Sequence, residues 1–338
     1  MSAGTSNPVK SNPKVGARMK DFAGKIAVVT GGGTGMGREL VRQLVAEGCN
    51  VATCDISADA MAETKRLCEA DKLPQGLRIT THIADVSLED QLLRFRDEVE
   101  AQQATDKIHL LFNNAGIGGG GSLFTNSREQ WERTFNICWG GVYLGVRTFL
   151  PMLMKADESH IVNTSSVNGF WASVGMLRSH TAYSAAKFAV KGFTEALIND
   201  LKLNAPHIKC SVVMPGHIGT SIVSNSRQIQ SGTDRLTEGE VALMRTRLGM
   251  AGMDTANMSD EQLQALAAEQ ARSFKEDAPT SAAQAAKIIL DGVKAGQWRI
   301  LVGDDAHLLD QRVRAAPEQA YDLEFYQSFA AEAGWRIG

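Results

Sequence analysis

The stretch Lys25-Ile26-Ala27-Val28-Val29-Thr30-Gly31-Gly32-Gly33-Thr34-Gly35-Met36-Gly37 decides the fold class. A short β-branched apolar run feeds a glycine cluster, after which Leu40, Val41, Leu44 and Val45 recur at helical spacing until Gly48. This is the pattern of strand, glycine turn and helix. Backbone without Cβ lets the chain turn tightly, admits a pyrophosphate, and aims helix N-terminal amides at its negative charge. The spacing is G-x-x-x-G-x-G rather than G-x-G-x-x-G. A glycine cluster elsewhere is a plain turn, but between this strand and this helix it reads as a phosphate cradle built from Gly31, Gly33, Thr34, Gly35, Met36 and Gly37.

Downstream, Asn50 to Cys54 makes a second strand that ends at Asp55. An acid there bonds both ribose hydroxyls of NAD and repels the 2'-phosphate of NADP. No arginine comes after it to accept such a phosphate, the next residues being Ile56, Ser57 and Ala58. The same position also suits an N-cap, and both readings stand. A third strand, Leu77 to Ile83, ends in Ala84-Asp85-Val86, where Asp85 either accepts from the adenine amino group or caps the helix running to about Gln103. The fourth, Ile108 to Phe112, is uniformly apolar, as a central parallel strand is. It delivers Asn113-Asn114-Ala115-Gly116 and the Gly118 to Gly121 loop to the edge where open α/β sheets bind ligands.

One helix is expected from about Arg128 to Met154, apolar almost all round, with Asn136 inside it either as a satisfied core amide or as a water-holding residue. A fifth strand, His160 to Asn163, leads to Thr164-Ser165-Ser166. Tyr183-Ser184-Ala185-Ala186-Lys187 then stands an ammonium over the same helix face as a phenol, one turn away. A cation about 4 to 5 Å away offsets most of the roughly 3 to 4 kcal/mol needed to ionise a phenol near neutral pH. Strand six, Lys209 to Met214, stops at Pro215-Gly216; residues 221–278 carry helical patches, a helix runs from Ser281 to Lys294, and a short strand from Arg299 to Val302.

With 338 residues, 43% of them apolar, the chain supports a large core. A net charge of -3 with neither sign clustered excludes an electrostatic footprint for nucleic acid or an anionic membrane. The five cysteines show no C-x-x-C pair and no ligand spacing, so no metal site and no disulfide framework is signalled. The Trp131 to Met154 window carries Glu132, Arg133 and Arg147 and is a buried helix rather than a membrane span. Met1 to Lys20 reads as a disordered tail without a secretory core, and a cytoplasmic setting is expected.

Taken together these residues resemble the short-chain dehydrogenase/reductase family from about Phe22 to Gly303. Thr30 with Gly31, Gly35 and Gly37 matches the family's T-G-x-x-x-G-x-G, Asp85 its adenine-site acid, and Asn113 to Gly116 its N-N-A-G. Asn136, Ser166, Tyr183 and Lys187 match its catalytic tetrad, and Pro215-Gly216 with Thr220 its loop beside the nicotinamide carboxamide. The resemblance implies Tyr183 as general acid/base, Ser166 polarising the substrate oxygen, and Lys187 bonding the ribose while lowering the Tyr183 pKa. It also implies Asn136 holding a relay water. Ser165 rivals Ser166 by position. Cofactor contacts are expected further from Ile56, Val86, Asn114, Ala115, Gly116 and Ile218.

The fold implied is α/β, a Rossmann-like doubly wound parallel sheet of about seven strands flanked by helices. The domain is expected over residues 21–303, with a substrate lid at 221–278 and a helical extension at 304–338. The lid's ligand-facing candidates are Ile222, Val223, Leu243, Met244, Leu248, Met250 and Met253; Asn168, Phe170, Trp171, Met176 and His217 complete the candidate substrate residues. The function implied is an NAD-dependent oxidoreductase, without metal, acting on a bulky, mostly apolar secondary alcohol or its ketone. The alternatives are a 3-oxoacyl-thioester reductase and a non-enzymatic NAD-binding sensor or scaffold. The apolar helices further imply a homodimer or homotetramer.

Overall fold

A computed structural model describes residues 19–71, 76–175, 178–250, 252–255 and 257–335. The opening stretch forms β1 (Ile26–Thr30) and α1 (Gly35–Ala46) around the glycine turn. The chain continues through β2 (Asn50–Asp55), α2 (Ala58–Ala70), β3 (Ile79–Ile83), α3 (Glu89–Gln103) and β4 (Leu110–Asn113). Next come α4 (Arg128–Phe135), α5 (Gly141–Leu153), β5 (Ser159–Thr164), α6 (Thr181–Asn204) and β6 (Ile208–Pro215). Beyond them lie β7 (Ile218–Gly219), α7 (Ile222–Ser231), α8 (Glu238–Met250), α9 (Asp260–Glu276), β8 (Thr280–Ser281), α10 (Ala282–Lys294) and β9 (Arg299–Val302). The last helices are α11 (Asp304–Ala315) and α12 (Leu323–Ala333).

Seven strands form one parallel sheet in the order β3-β2-β1-β4-β5-β6-β9, and β7 pairs with β8 in a small second sheet. The order reverses between β1 and β4, which opens a crevice at their C-terminal ends. The sheet is covered on both sides. Ala27 and Val29 pack with Leu40, Val41 and Leu44 of α1 and Ile289 and Leu290 of α10. Val28, pointing the other way, packs with Phe95 of α3, Phe149 of α5 and Leu201 of α6. Burial of both faces is why the central strands read as continuous apolar runs rather than as alternating ones. This is the doubly wound, Rossmann-like sheet.

Several element ends shift by one or two residues from the sequence expectation, β4 beginning at Leu110 rather than Ile108. β3 begins at Ile79 rather than Leu77, although Leu77 still packs against the core. The single helix expected from Arg128 to Met154 is two helices joined by a π-turn over Asn136–Gly140. One extra residue in that turn rotates the helix beyond it, so the side chain buried there is Cys138 while Asn136 is exposed. A third core joins Val167 and Trp171 to Leu309 and Phe329 of the C-terminal helices and to Trp335 beyond them, with Leu301 of β9 packed against it. Among the described residues no helix is long and apolar enough to cross a membrane, and no cluster of His, Cys, Asp or Glu is arranged to hold a metal ion.

His160 on β5 lies inside the sheet, 2.7 Å from Ser211 Oγ. The Ser211 hydroxyl donates to the Gln297 carbonyl at 2.5 Å, so His160 Nε2–H is the donor to Ser211. Burial is the main cause that pushes its pKa down to about 4, with Lys209 adding to it. The unfolded chain therefore binds a proton that the folded chain refuses, and the stability present above about pH 6.5 is lost as pH falls toward 4. At pH 5 the loss comes to about 2 kcal/mol at roughly 1.4 kcal/mol per pKa unit. In urea unfolding at pH 7.5 and 5.0, His160→Gln is expected to shrink the difference between the two pH values by about that amount.

Candidate active site

The two walls of the crevice are clamped by one hydroxyl. Thr30 Oγ1 accepts from the backbone N–H of Asn114 (3.0 Å) and of Ala115 (3.1 Å) and donates to the Phe112 carbonyl (3.4 Å). Gly31 is thereby pressed so close that a Cβ on it would stand 2.8 Å from the Ala115 Cα, and its φ is +69°. Gly37 is packed tighter still, its absent Cβ falling 2.0 Å from the Gly31 carbonyl oxygen. Thr34 precedes α1 without a side-chain cap bond, and the first turn holds no acid. Open amides at a positive helix end fit a phosphate. Met36 packs on the core beneath the turn, and Thr220 closes on Gly35 from the far side.

Asp55 is half-buried at the end of β2, with Oδ2 accepting from Gly33 N–H (3.0 Å) and Oδ1 from Ser57 N–H (3.1 Å). The N-cap of α2 is Ser57, so the capping role does not fall to Asp55, whose two oxygens are each met by one backbone N–H. Asp85 likewise caps no helix: its Oδ1 accepts from the backbone and hydroxyl of Ser87. Ile56, Asp85, Ser87 and Asn136 line a groove of about 620 Å³ that continues the crevice. Val86 is buried beneath it, and the Asn114 Oδ1 is buried without a partner. The residues present fit a dinucleotide.

At the other end of the crevice, β5 and α6 bring Ser166, Tyr183 and Lys187 together. Lys187 is 2% exposed, its Nζ donates to the Thr164 carbonyl at 2.8 Å, and it stands 5.4 Å from the centroid of the Tyr183 ring. Ser165 is spent on the Lys187 carbonyl (2.7 Å), which leaves Ser166 as the serine that reaches Tyr183. Asn136 does not join them. The side chain at that place is Cys138, fully buried, its thiol donating to the Ile117 carbonyl at 3.1 Å. A Cβ built on Gly116 would lie 3.5 Å from Lys187 Nζ and 3.6 Å from Cys138 Sγ.

The electrostatics also depart from expectation. Burial pushes the Tyr183 phenol above its ordinary range, Cys138 adds to the rise, and Ser166 pulls weakly the other way. Tyr183 as a whole is only partly buried, which tempers the rise. Lys187 stands over the same ring with its ammonium donating to the Thr164 carbonyl, and burial holds it below the usual lysine range. A residue the sequence did not single out, His180, lays its ring 4.7 Å from that of Tyr183 and is pushed down to about 4 by burial and by Arg178.

The short chain dehydrogenase family model matches residues 25–231. The chain belongs to that family. SadH of Mycobacterium tuberculosis is 32% identical over 296 residues, covering 88% of this chain and 92% of that one. A 3-alpha-(or 20-beta)-hydroxysteroid dehydrogenase from the same species is 33% identical over 58% of this chain and 70% of its own. A short chain dehydrogenase/reductase from Burkholderia phymatum, solved in complex with NAD, superposes with a TM-score of 0.69 at 29% identity, covering 88% of this chain and 95% of that one.

This short-chain dehydrogenase departs from the expected substrate wall at four residues. Trp171 is enclosed by the C-terminal core, its indole N–H donating to the Ala320 carbonyl (2.6 Å) and its ring stacked on Tyr326. Asn168 spends its amide on the carbonyls of Trp171 and Ser173, Phe170 packs in the same core under Arg299, and His217 bonds the Phe274 carbonyl. All four therefore fasten loops together rather than face an open pocket. Met176 lies outside the described residues. Ile222 opens α7, Ile218 is buried in β7, and Pro215 ends β6 with Gly216 N–H held by Val302.

The lid lies differently as well. Asn225 donates to Thr34 Oγ1 (3.0 Å), Ser226 accepts from Gly118 N–H (2.8 Å), and Arg133 reaches the Ile229 carbonyl (2.7 Å). α7 thus crosses the cofactor crevice itself, while Met250 and Met253, expected to face ligand, are 71% and 46% exposed. In ligand-free protein, spectrophotometric titration of the wild type against Tyr183→Phe is expected to show the Tyr183 phenol neutral through pH 10; a difference signal developing near pH 7 to 8 would contradict the burial argument.

Proposed function

We propose that this chain is an NAD-dependent oxidoreductase that interconverts a bulky, mostly apolar secondary alcohol and its ketone. The observation that carries the reading is the meeting of Ser166, Tyr183 and Lys187 at one end of a crevice whose other end is a phosphate cradle. A nicotinamide dinucleotide, when bound, supplies hydride exchange. Gly31 to Gly37 would hold its pyrophosphate, Asp55 its ribose and Asp85 its adenine. The chain's own residues handle the proton. A phenol kept neutral by burial is a donor to an oxygen that gains negative charge during ketone reduction, and Ser166 beside it fixes the same oxygen. Lys187 orients the ribose side, and Cys138, packed against it, stands where a relay amide was expected.

Asp55 supports NAD over NADP, because its carboxylate would face the 2'-phosphate, while Arg38 nearby is engaged by the Gly33 carbonyl. NAD in the Burkholderia phymatum relative agrees with this. Steroid chemistry in a relative supports the bulky substrate. Assayed with NAD over a series from 2-propanol to cyclic and aryl alcohols, kcat/KM is expected to climb, each buried methylene adding up to about 0.8 kcal/mol. Tyr183→Phe is expected to lower turnover by about 10² to 10⁴-fold with NAD affinity unchanged within a few-fold. Retention of a third of the activity would place the proton elsewhere.

The cofactor assignment has its own check. The unmodified enzyme is expected to prefer NAD, and Asp55→Ala to narrow the gap by weakening NAD and admitting NADP. Equal kcat/KM for the two cofactors in the unmodified enzyme would refute it.

A further inference from the structure

One buried carboxylate lies outside the acid/base site. Asp305, in the first turn of α11, is 3% exposed and makes no ion pair among the described residues. Its Oδ2 instead accepts from the backbone N–H of His217 at 2.6 Å and from the indole N–H of Trp335 at 2.8 Å. The approach is possible because residue 216 is glycine: a Cβ there would stand 2.3 Å from Oδ2. Oδ1 is buried without a partner. The positive end of α11 supplies the rest of the compensation.

His217 continues the connection. Its Nε2–H donates to the Phe274 carbonyl at 2.7 Å, and its ring lies 4.3 Å from that of Phe274 in the last turn of α9. One carboxylate therefore ties the loop between β6 and β7, the root of the lid, and the segment after α12. The same loop runs on to Thr220, which packs against Gly35 of the phosphate cradle. An anion out of water is tolerated only while donors meet it. Losing either N–H leaves the charge unmet and gives the loop reason to move.

We propose that Asp305 is a positioning residue that fixes the Pro215 to Thr220 loop against the cofactor crevice, with Trp335 docking as the contact that completes it. The dinucleotide reading above underlies the proposal. Asp305→Asn removes the charge at constant shape, and Trp335→Phe removes one donor while keeping a ring in the aromatic cluster. In the full-length protein, calorimetric titration with NAD is expected to show Kd raised about five- to tenfold for Asp305→Asn and about two- to threefold for Trp335→Phe. Turnover at saturating NAD stays within about threefold, and amide exchange of residues 216–220, measured without cofactor, becomes faster in both. A role in stability alone would lower Tm without moving Kd or that local exchange, and such a result overturns the proposal. So does loss of turnover at unchanged Kd. If Asp305→Asn does not fold, Trp335→Phe decides; if the unmodified protein binds no NAD, the cofactor reading fails and the exchange rates alone judge the positioning role.

Discussion

The crevice depends on a hydroxyl at the end of β1 that meets three backbone groups of β4 and the turn after it. Thr30 holds the turns after β1 and β4 together through three hydrogen bonds, and this pins Gly31 against Ala115 and Gly37 against Gly31. Parallel strands leave their C-terminal ends open, so two neighbouring turns there would splay apart unless something short and polar joined them. Because the joint leaves no room for side chains, it requires the glycines. The phosphate cradle is then a consequence of packing as much as of sequence.

Burial sets the charge state of most groups around this crevice. Tyr183 is pushed up, while Lys187, His180 and His217 are pushed down, in each case with desolvation as the first cause. Lys187 and His217 are each held by a backbone carbonyl. Such an arrangement is stable at neutral pH and favours a phenol that gives up its proton only to a strong acceptor.

The C-terminal helices are joined to the site rather than appended to it. Trp171 bonds the Ala320 carbonyl and Tyr321 bonds the Ala172 amide, so the loop before Tyr183 is fastened from outside the sheet. α7 meanwhile crosses the glycine turn through Asn225. The loops around the crevice are thus held from two sides by segments far apart in the chain.

The features legible in the amino-acid order are those whose signal is local. Periodicity and glycine spacing located β1, the turn and α1, the acid at 55, the Asn113 to Gly116 turn, and the one-turn separation of Tyr183 and Lys187, since each depends only on neighbours within a few residues. Long-range packing settled the rest. A π-turn has no compositional mark, so only the folded helix shows that its extra residue puts Cys138 beside Lys187 and turns Asn136 outward. Trp171 looked like a substrate wall because an aromatic next to an active-site loop has the same local pattern whether it meets a ligand or a partner 149 residues away. Even the direction of the Tyr183 shift was out of reach: spacing gives the distance to a cation, but not how much water the fold removes.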